Sequence, residues 1–200
     1  YWNGPSEMHG AGGEWRVEQQ RLSWTILDRF ADAATEAGIP KTGDFNTGDN
    51  TGVSRFEVNQ RHGTRWSSMR GFLDPIRHRS NLTVITGALT DRLRIEGRSV
   101  TGVEFRADGE RCIARSRIET VLAAGAIGSP AILQRSGVGD QALLQDRGIP
   151  VALHAPDVGA NLQDHLQLRC IYRVQGVTTL NQQMRSLPAK AKMALDYALF

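Results

Sequence analysis

Hydrophobic positions recur along this chain in two rhythms, one helical and one strand-like. Between Ser23 and Ala37 the residues Ile26, Phe30, Ala33, Ala34 and Ala37 fall on one helical face. Ser23 is placed to cap that helix, and Gly38 with Pro40 to end it. Trp66 to Arg77 is a second helical segment, with Met69, Phe72 and Leu73 as its apolar face until Pro75 interrupts it. A third helical spacing, Ala191, Ala194, Tyr197 and Ala198, closes the chain. Alternation takes over elsewhere and predicts strands at Glu14–Glu18, Val53–Asn59, Leu82–Thr86, Arg92–Glu96, Val100–Arg106 and Arg111–Arg117. Gly97-Arg-Ser99 and Ala107-Asp-Gly-Glu110 are hairpin connections that join the last three into a meander. The most regular alternation is Leu166, Leu168, Cys170, Tyr172, Val174, which predicts an antiparallel strand with one wet face.

The stretch Val121 to Gly139 organises the rest. Its apolar start reads as a short buried strand that runs into Ala123, Ala124, Gly125 and Ala126. Ser129 and Pro130 then give a hydroxyl N-cap and a proline at the first helical position, and Gly137 and Gly139 are placed to stop the helix. A strand that turns through small residues into a helix lets a ligand lie against the backbone, and in α/β proteins that ligand is often a nucleotide. Beyond it, Asp140 is a cap for a helix reaching Gln145, Gly148 and Pro150 end that helix, and Val151–His154 is a short strand. Residues 41–52 and 156–165 are loops of turn formers.

Composition changes this picture little. Two hundred residues with 40% apolar side chains and 21 glycines describe a globular, loop-containing protein. A formal charge of +3, from 24 basic and 21 acidic residues scattered along the chain, gives no nucleic-acid footprint. Cys112 and Cys170 lack any zinc or disulfide spacing. No apolar run approaches the length needed to span a bilayer and no signal peptide is visible, so the expectation is a cytoplasmic protein without a transmembrane segment. The chain opens at Tyr1 without an initiator methionine and stops at Phe200 within a helical pattern, which reads as a piece of a longer chain.

Gly125-Ala-Ile-Gly-Ser-Pro-Ala-Ile-Leu-Gln-Arg-Ser-Gly-Val-Gly139 resembles the second signature of the glucose–methanol–choline (GMC) oxidoreductases. Asp44-Phe-Asn46, Gly63-Thr-Arg-Trp-Ser-Ser68, Gly71-Phe-Leu73, Asn81-Leu-Thr-Val84, Gly148-Ile-Pro-Val151 and Pro156 to His165 extend the likeness in the family's order, closest to its choline-dehydrogenase-like branch. The resemblance implies a mixed α/β (α+β) fold: part of an FAD-binding, Rossmann-like domain with a β-meander (1–43 and 79–160), plus part of an antiparallel-sheet substrate domain (44–78 and 161–200). It also implies FAD as cofactor and a small alcohol, a primary alcohol or polyol, as substrate. In that chemistry a histidine base takes the hydroxyl proton while the carbinol hydride passes to flavin N5.

The same resemblance places Ala124, Gly125 and Ala126 beside FAD through their backbones, and Thr90 where the family's strand backbone meets the adenine edge. Gly128, Ser129, Pro130, Gly137 and Gly139 are assigned to turns and caps. The family's GxGxxG strand has no counterpart in this sequence. None of His9, His62, His78, His154 or His165 lies in the context of the family's active-site histidine. No catalytic residue is therefore assigned, and the chain is expected to be inert without the remaining segments of the full-length enzyme. The alternative is a non-catalytic binding or structural module that needs a partner segment to complete a flavin site.

Asn161, Asp164 and His165 read as loop anchors ahead of a catalytic cluster, and Arg65 and Ser67 as structural hydrogen-bonders. His9-Gly-Ala-Gly-Gly13 has the look of an esterase oxyanion loop, but no Gly-x-Ser-x-Gly elbow accompanies it, so it is a glycine turn.

Overall fold

The computed structural model describes residues 1–199 and divides into two compact units, Thr83–Arg169 on one side and Tyr1–Leu82 with the segment from Cys170 onward on the other. It is the mixed helix-and-sheet protein the sequence predicts. The compact units group residues 1–43 with 44–82, whereas the functional division read from the sequence joins 1–43 to 79–160. The first is a grouping by packing, and the second an expectation drawn from the family resemblance.

The unit Thr83–Arg169 is built on the meander β3 (Leu89–Glu96), β4 (Ser99–Ala107) and β5 (Glu110–Arg115); β1 (Gln60–Arg61) and β2 (Thr64–Arg65) lie in the other unit. The order is β3-β4-β5, antiparallel throughout, with Thr90 opposite Phe105 and Phe105 opposite Cys112. Both hairpins follow from their turn residues. Asp108 (φ 52°) and Gly109 (φ 83°) are both left-handed, which is the backbone of a two-residue turn whose twist matches the strands. A register shift between Thr90 and Arg92 bulges β3 at Asp91.

The chain then enters α2 (Gly125–Arg135), β6 (Val138–Gly139), α3 (Gln141–Asp146) and β7 (Leu153–His154). β6 and β7 pair in parallel across α3, a miniature crossover. Asp140 caps α3 as expected, its carboxylate accepting from the Leu143 N–H at 2.9 Å. The buried apolar side chains of the described residues are Leu93, Ile132 and Leu144, one each from β3, α2 and α3.

In the other unit, α1 (Thr25–Glu36) leads to the hairpin β1 (Gln60–Arg61) and β2 (Thr64–Arg65), which turns through His62 and Gly63, both at positive φ. The segment read as helix from Trp66 forms a π-turn at Met69–Leu73 and a 3₁₀ turn at Asp74–Ile76, with Pro75 at the start of the latter. α4 (Leu180–Gln183) carries a capping box between Thr179 and Gln182, and α5 is Leu187–Leu199. Tyr197 of α5 donates its hydroxyl to the Gly63 carbonyl at 2.5 Å, and the Arg21 guanidinium donates to the Tyr197 carbonyl at 3.1 Å.

Several expected elements take another form. Val53–Asn59 and Glu14–Glu18 contribute single bridges, Lys41 with Val53 and Glu18 with Val58. Leu82–Thr86, the run from Val121 to Ala124 and Leu166–Val174 form no strand, and Leu166, Leu168 and Ile171 are almost fully exposed. Alternation records which side chains face the same way, but a strand also needs a neighbour to satisfy its N–H and C=O groups. No strand pairs with these runs among the described residues. Ser23 is not the cap of α1: Trp24 occupies the N-cap, without a side-chain bond.

Candidate functional site

The helix read with Ser129 as its N-cap and Pro130 as its first residue starts five residues earlier, at Gly125. Ala124 is the N-cap, and the Ser129 hydroxyl reaches back from inside the helix to accept the Ala124 N–H at 3.0 Å. Pro130 lies within the helix, so it costs the Ala126 carbonyl its donor. Gly125 has φ +82° and open space where a Cβ would stand. Its glycine is required by backbone conformation and not by a crowding neighbour.

Ala124, Gly125 and Ala126 therefore come together, exposed, at the first turn of an eleven-residue helix. A first turn leaves its N–H groups without intrahelical acceptors. Small side chains around those donors allow an anionic or carbonyl-bearing group to approach the backbone, as a flavin dinucleotide offers. No acid, base or nucleophile stands among them. The Ser129 hydroxyl accepts the Ala124 N–H, and no histidine or carboxylate is hydrogen-bonded to it among the described residues, so nothing in this turn supports the hydrolase reading.

Thr90 lies elsewhere, at the opposite end of α2. That helix rises about 15 Å between its ends. The Thr90 carbonyl accepts from Arg135 Nη2 at 3.2 Å, and the neighbouring Asp91 carbonyl accepts from Arg135 Nε at 2.7 Å. Two residues on, the Leu93 N–H donates to the Ser136 hydroxyl at 2.8 Å, and that hydroxyl donates to the Ile132 carbonyl at 2.6 Å. The Asp91 side chain meets the Arg106 guanidinium at 2.9–3.2 Å, which holds its carboxyl below the usual carboxylate range. Beside this edge runs a groove of about 580 Å³ lined by Arg92, Leu93, Arg94, Glu104, Arg135 and Ser136 among others. The residues present fit an extended dinucleotide: a carbonyl acceptor at Thr90, and first-turn N–H donors at the far end of the same helix.

Arg135 and Ser136 carry no site role in the sequence reading. The signal available was their position, an arginine and a serine in the last turn of a helix whose stop is Gly137 at φ +85°. The remaining candidates do not assemble. Asp164 accepts the adjacent His165 N–H at 2.8 Å, and Asn161 is a turn residue at φ 54°. Ser67 receives the Arg70 N–H at 3.4 Å. His154 Nδ1 accepts the Gln141 N–H at 3.1 Å. In the unit containing α1, His9 Nε2 lies 2.5 Å from Asp44 Oδ2, and the Tyr1 hydroxyl bonds both Asp44 and Glu57. Burial, then those two carboxylates, raise the Tyr1 phenol above its usual range. No cluster of His, Cys, Asp and Glu suited to a metal ion occurs among the described residues.

A family profile described as GMC oxidoreductase matches residues 8–167. The chain belongs to the GMC oxidoreductase family. An oxygen-dependent choline dehydrogenase of Chromohalobacter salexigens is 42% identical over 173 residues, which cover 84% of this chain and 31% of that protein. This GMC chain thus spans about a third of the length of the curated relative it matches. Among solved structures, a fungal aryl-alcohol oxidase superposes with a TM-score of 0.81 at 26% identity, over 94% of this chain and 33% of its own. An FAD-dependent oxidoreductase from Chaetomium thermophilum superposes with a TM-score of 0.69 at 27% identity, over 74% of this chain and 26% of its own. The FAD expected of this GMC chain agrees with these relatives, as does the kinship with flavin-dependent oxidoreductases of alcohols. No helix among the described residues is long and apolar enough to cross a membrane.

Proposed function

We propose that this chain is an internal part of an FAD-dependent alcohol oxidoreductase, and that Thr90, Ala124, Gly125 and Ala126 contact the cofactor through their backbones. The observation that carries the reading is the first turn of α2, where small exposed residues leave N–H donors open at the family's own motif. When bound, FAD supplies the hydride acceptor. This chain's part is to hold it: carbonyl oxygen at Thr90 toward an amino donor such as that of adenine, and N–H groups at Gly125 and Ala126 toward an acceptor. Residues 1–43 and 79–160 serve the flavin and 44–78 with 161–200 serve the substrate, a primary alcohol or polyol of the choline type, in a cytoplasmic enzyme. This reading places the proton-accepting histidine outside the sequence, since none of His9, His62, His78, His154 and His165 lies in the context of the family's active-site histidine.

The 200-residue chain, reconstituted with FAD and passed through gel filtration, should emerge colourless. A stable, stoichiometric yellow complex would overturn the claim that the chain needs further segments. The natural full-length protein should hold FAD and lose its visible flavin absorbance on anaerobic mixing with a primary alcohol such as choline. A full-length protein that binds no flavin overturns the reading altogether.

A further inference from the structure

We propose that Arg135 is a positioning residue for the cofactor: it locks the outer edge of β3 to the end of α2 and so sets where the Thr90 carbonyl points. The inference rests on the cofactor reading above. β3 is an edge strand, paired with β4 on one side only. Its other side would present unpaired backbone groups, but three of them are taken by two consecutive residues of α2's end. Arg135 spends two donors of one planar guanidinium on the carbonyls of Thr90 and Asp91. Ser136 takes the Leu93 N–H while returning its own proton to the Ile132 carbonyl.

The bulge at Asp91 explains the need for a fork. In a regular strand successive carbonyls point to opposite sides, whereas the register shift between Thr90 and Arg92 lets both carbonyls face one donor group. A fixed fork with two parallel donors holds both at once; a lysine ammonium, a point charge on a flexible stem, does not. A carbonyl oxygen carries two lone pairs, so the Thr90 carbonyl can accept from a ligand as well as from Arg135.

The same helix begins at Gly125, among the other cofactor contacts. α2 is then a strut with one cofactor contact at each end. Arg135 joins the strut to the strand, and the separation and direction of the two contacts are set together. A loosened Arg135 end costs the adenine-side contact and leaves the contact at the helix start in place. That asymmetry separates positioning from a general loss of structure.

The test titrates the flavin-free, full-length protein with FAD and with FMN, which lacks the adenosine half, following flavin fluorescence. Arg135→Gln should weaken FAD about tenfold and leave FMN within about twofold of wild type, with Arg135→Lys between the two. Equal weakening of FAD and FMN, or unchanged FAD, overturns the proposal. A wild-type protein that takes up no FAD overturns the cofactor reading and this proposal with it, whereas wild-type binding with an indifferent Arg135→Gln overturns this proposal alone. If Arg135→Gln does not accumulate in folded form, Ser136→Ala replaces it: the Leu93 amide should exchange faster and FAD should weaken severalfold relative to FMN. Faster exchange without a change in FAD binding overturns the proposal.

Discussion

Gly137 and Gly148 both adopt left-handed backbone, at φ +85° and +66°, yet their surroundings differ, and the pair allows a direct test of why α2 must end in glycine. An alanine at either position carries the left-handed penalty of about 1 kcal/mol. At Gly148 nothing lies within 4 Å of the new Cβ, so that penalty is the whole cost. At Gly137 the Cβ meets the Pro150 carbonyl oxygen and, at 3.0 Å, the Ala152 nitrogen, both backbone atoms that cannot rotate away. Relief requires the segment before β7 to withdraw, which breaks the bonds from the Ala152 and Leu153 N–H groups to the Gly137 carbonyl. Those two bonds contribute about 1 kcal/mol each, so Gly137→Ala should cost about 3 kcal/mol and Gly148→Ala about 1 kcal/mol. Urea unfolding of both variants, followed by far-ultraviolet circular dichroism, measures the difference. Equal costs would refute the steric argument and leave only backbone conformation at both sites.

Three other outcomes are expected. Leu144→Ala empties the most deeply buried side chain, at 1% exposure, and should cost 2–5 kcal/mol; a loss under about 1 kcal/mol by the same urea assay would mean that α3 is not held by its core contact. Asp140→Ala removes the α3 cap and should cost about 1 kcal/mol, with faster exchange at the Leu143 amide as its local signature. The Asp44 carboxyl is held below the usual range, first by the Asn46 backbone N–H and then by His9 and Tyr1. Its folded value lies below its unfolded value of about 3.9, so its contribution is present above that pH and lost as pH falls through the folded value. The stability gap between wild type and Asp44→Asn should therefore hold steady at neutral pH and narrow only as pH falls below about 4, and a gap independent of pH would contradict the assignment.

What the sequence made legible was local chemistry. Gly97, Asp108 and Gly109 announce their hairpins because few residues adopt those backbone angles, and Asp140 announces a helix because its carboxylate reaches the N–H three residues on. The strand at Leu166–Val174, the most regular pattern in the chain, is absent for a non-local reason: its partner is not determined by its own alternation. Ser129-Pro130 misled by five residues. A serine before a proline has the form of a cap, but here the hydroxyl caps backwards onto Ala124. For the candidate site, the small residues at Ala124 to Ala126 were visible as a motif. The fork of Arg135 was not, since its partners Thr90 and Asp91 lie 45 and 44 residues away and are carbonyls, which every residue possesses.

The division into two compact units has a spectroscopic consequence. All four tryptophans and all three tyrosines of the chain fall in the unit containing α1, and the unit Thr83–Arg169 has neither. Indole and phenol emission therefore watch only one half of the molecule. A ligand seated on Thr90 and Ala124–Ala126 would be read by its own colour against a dark background, and a denaturation curve recorded in tryptophan fluorescence would pass over the unfolding of that unit without a signal.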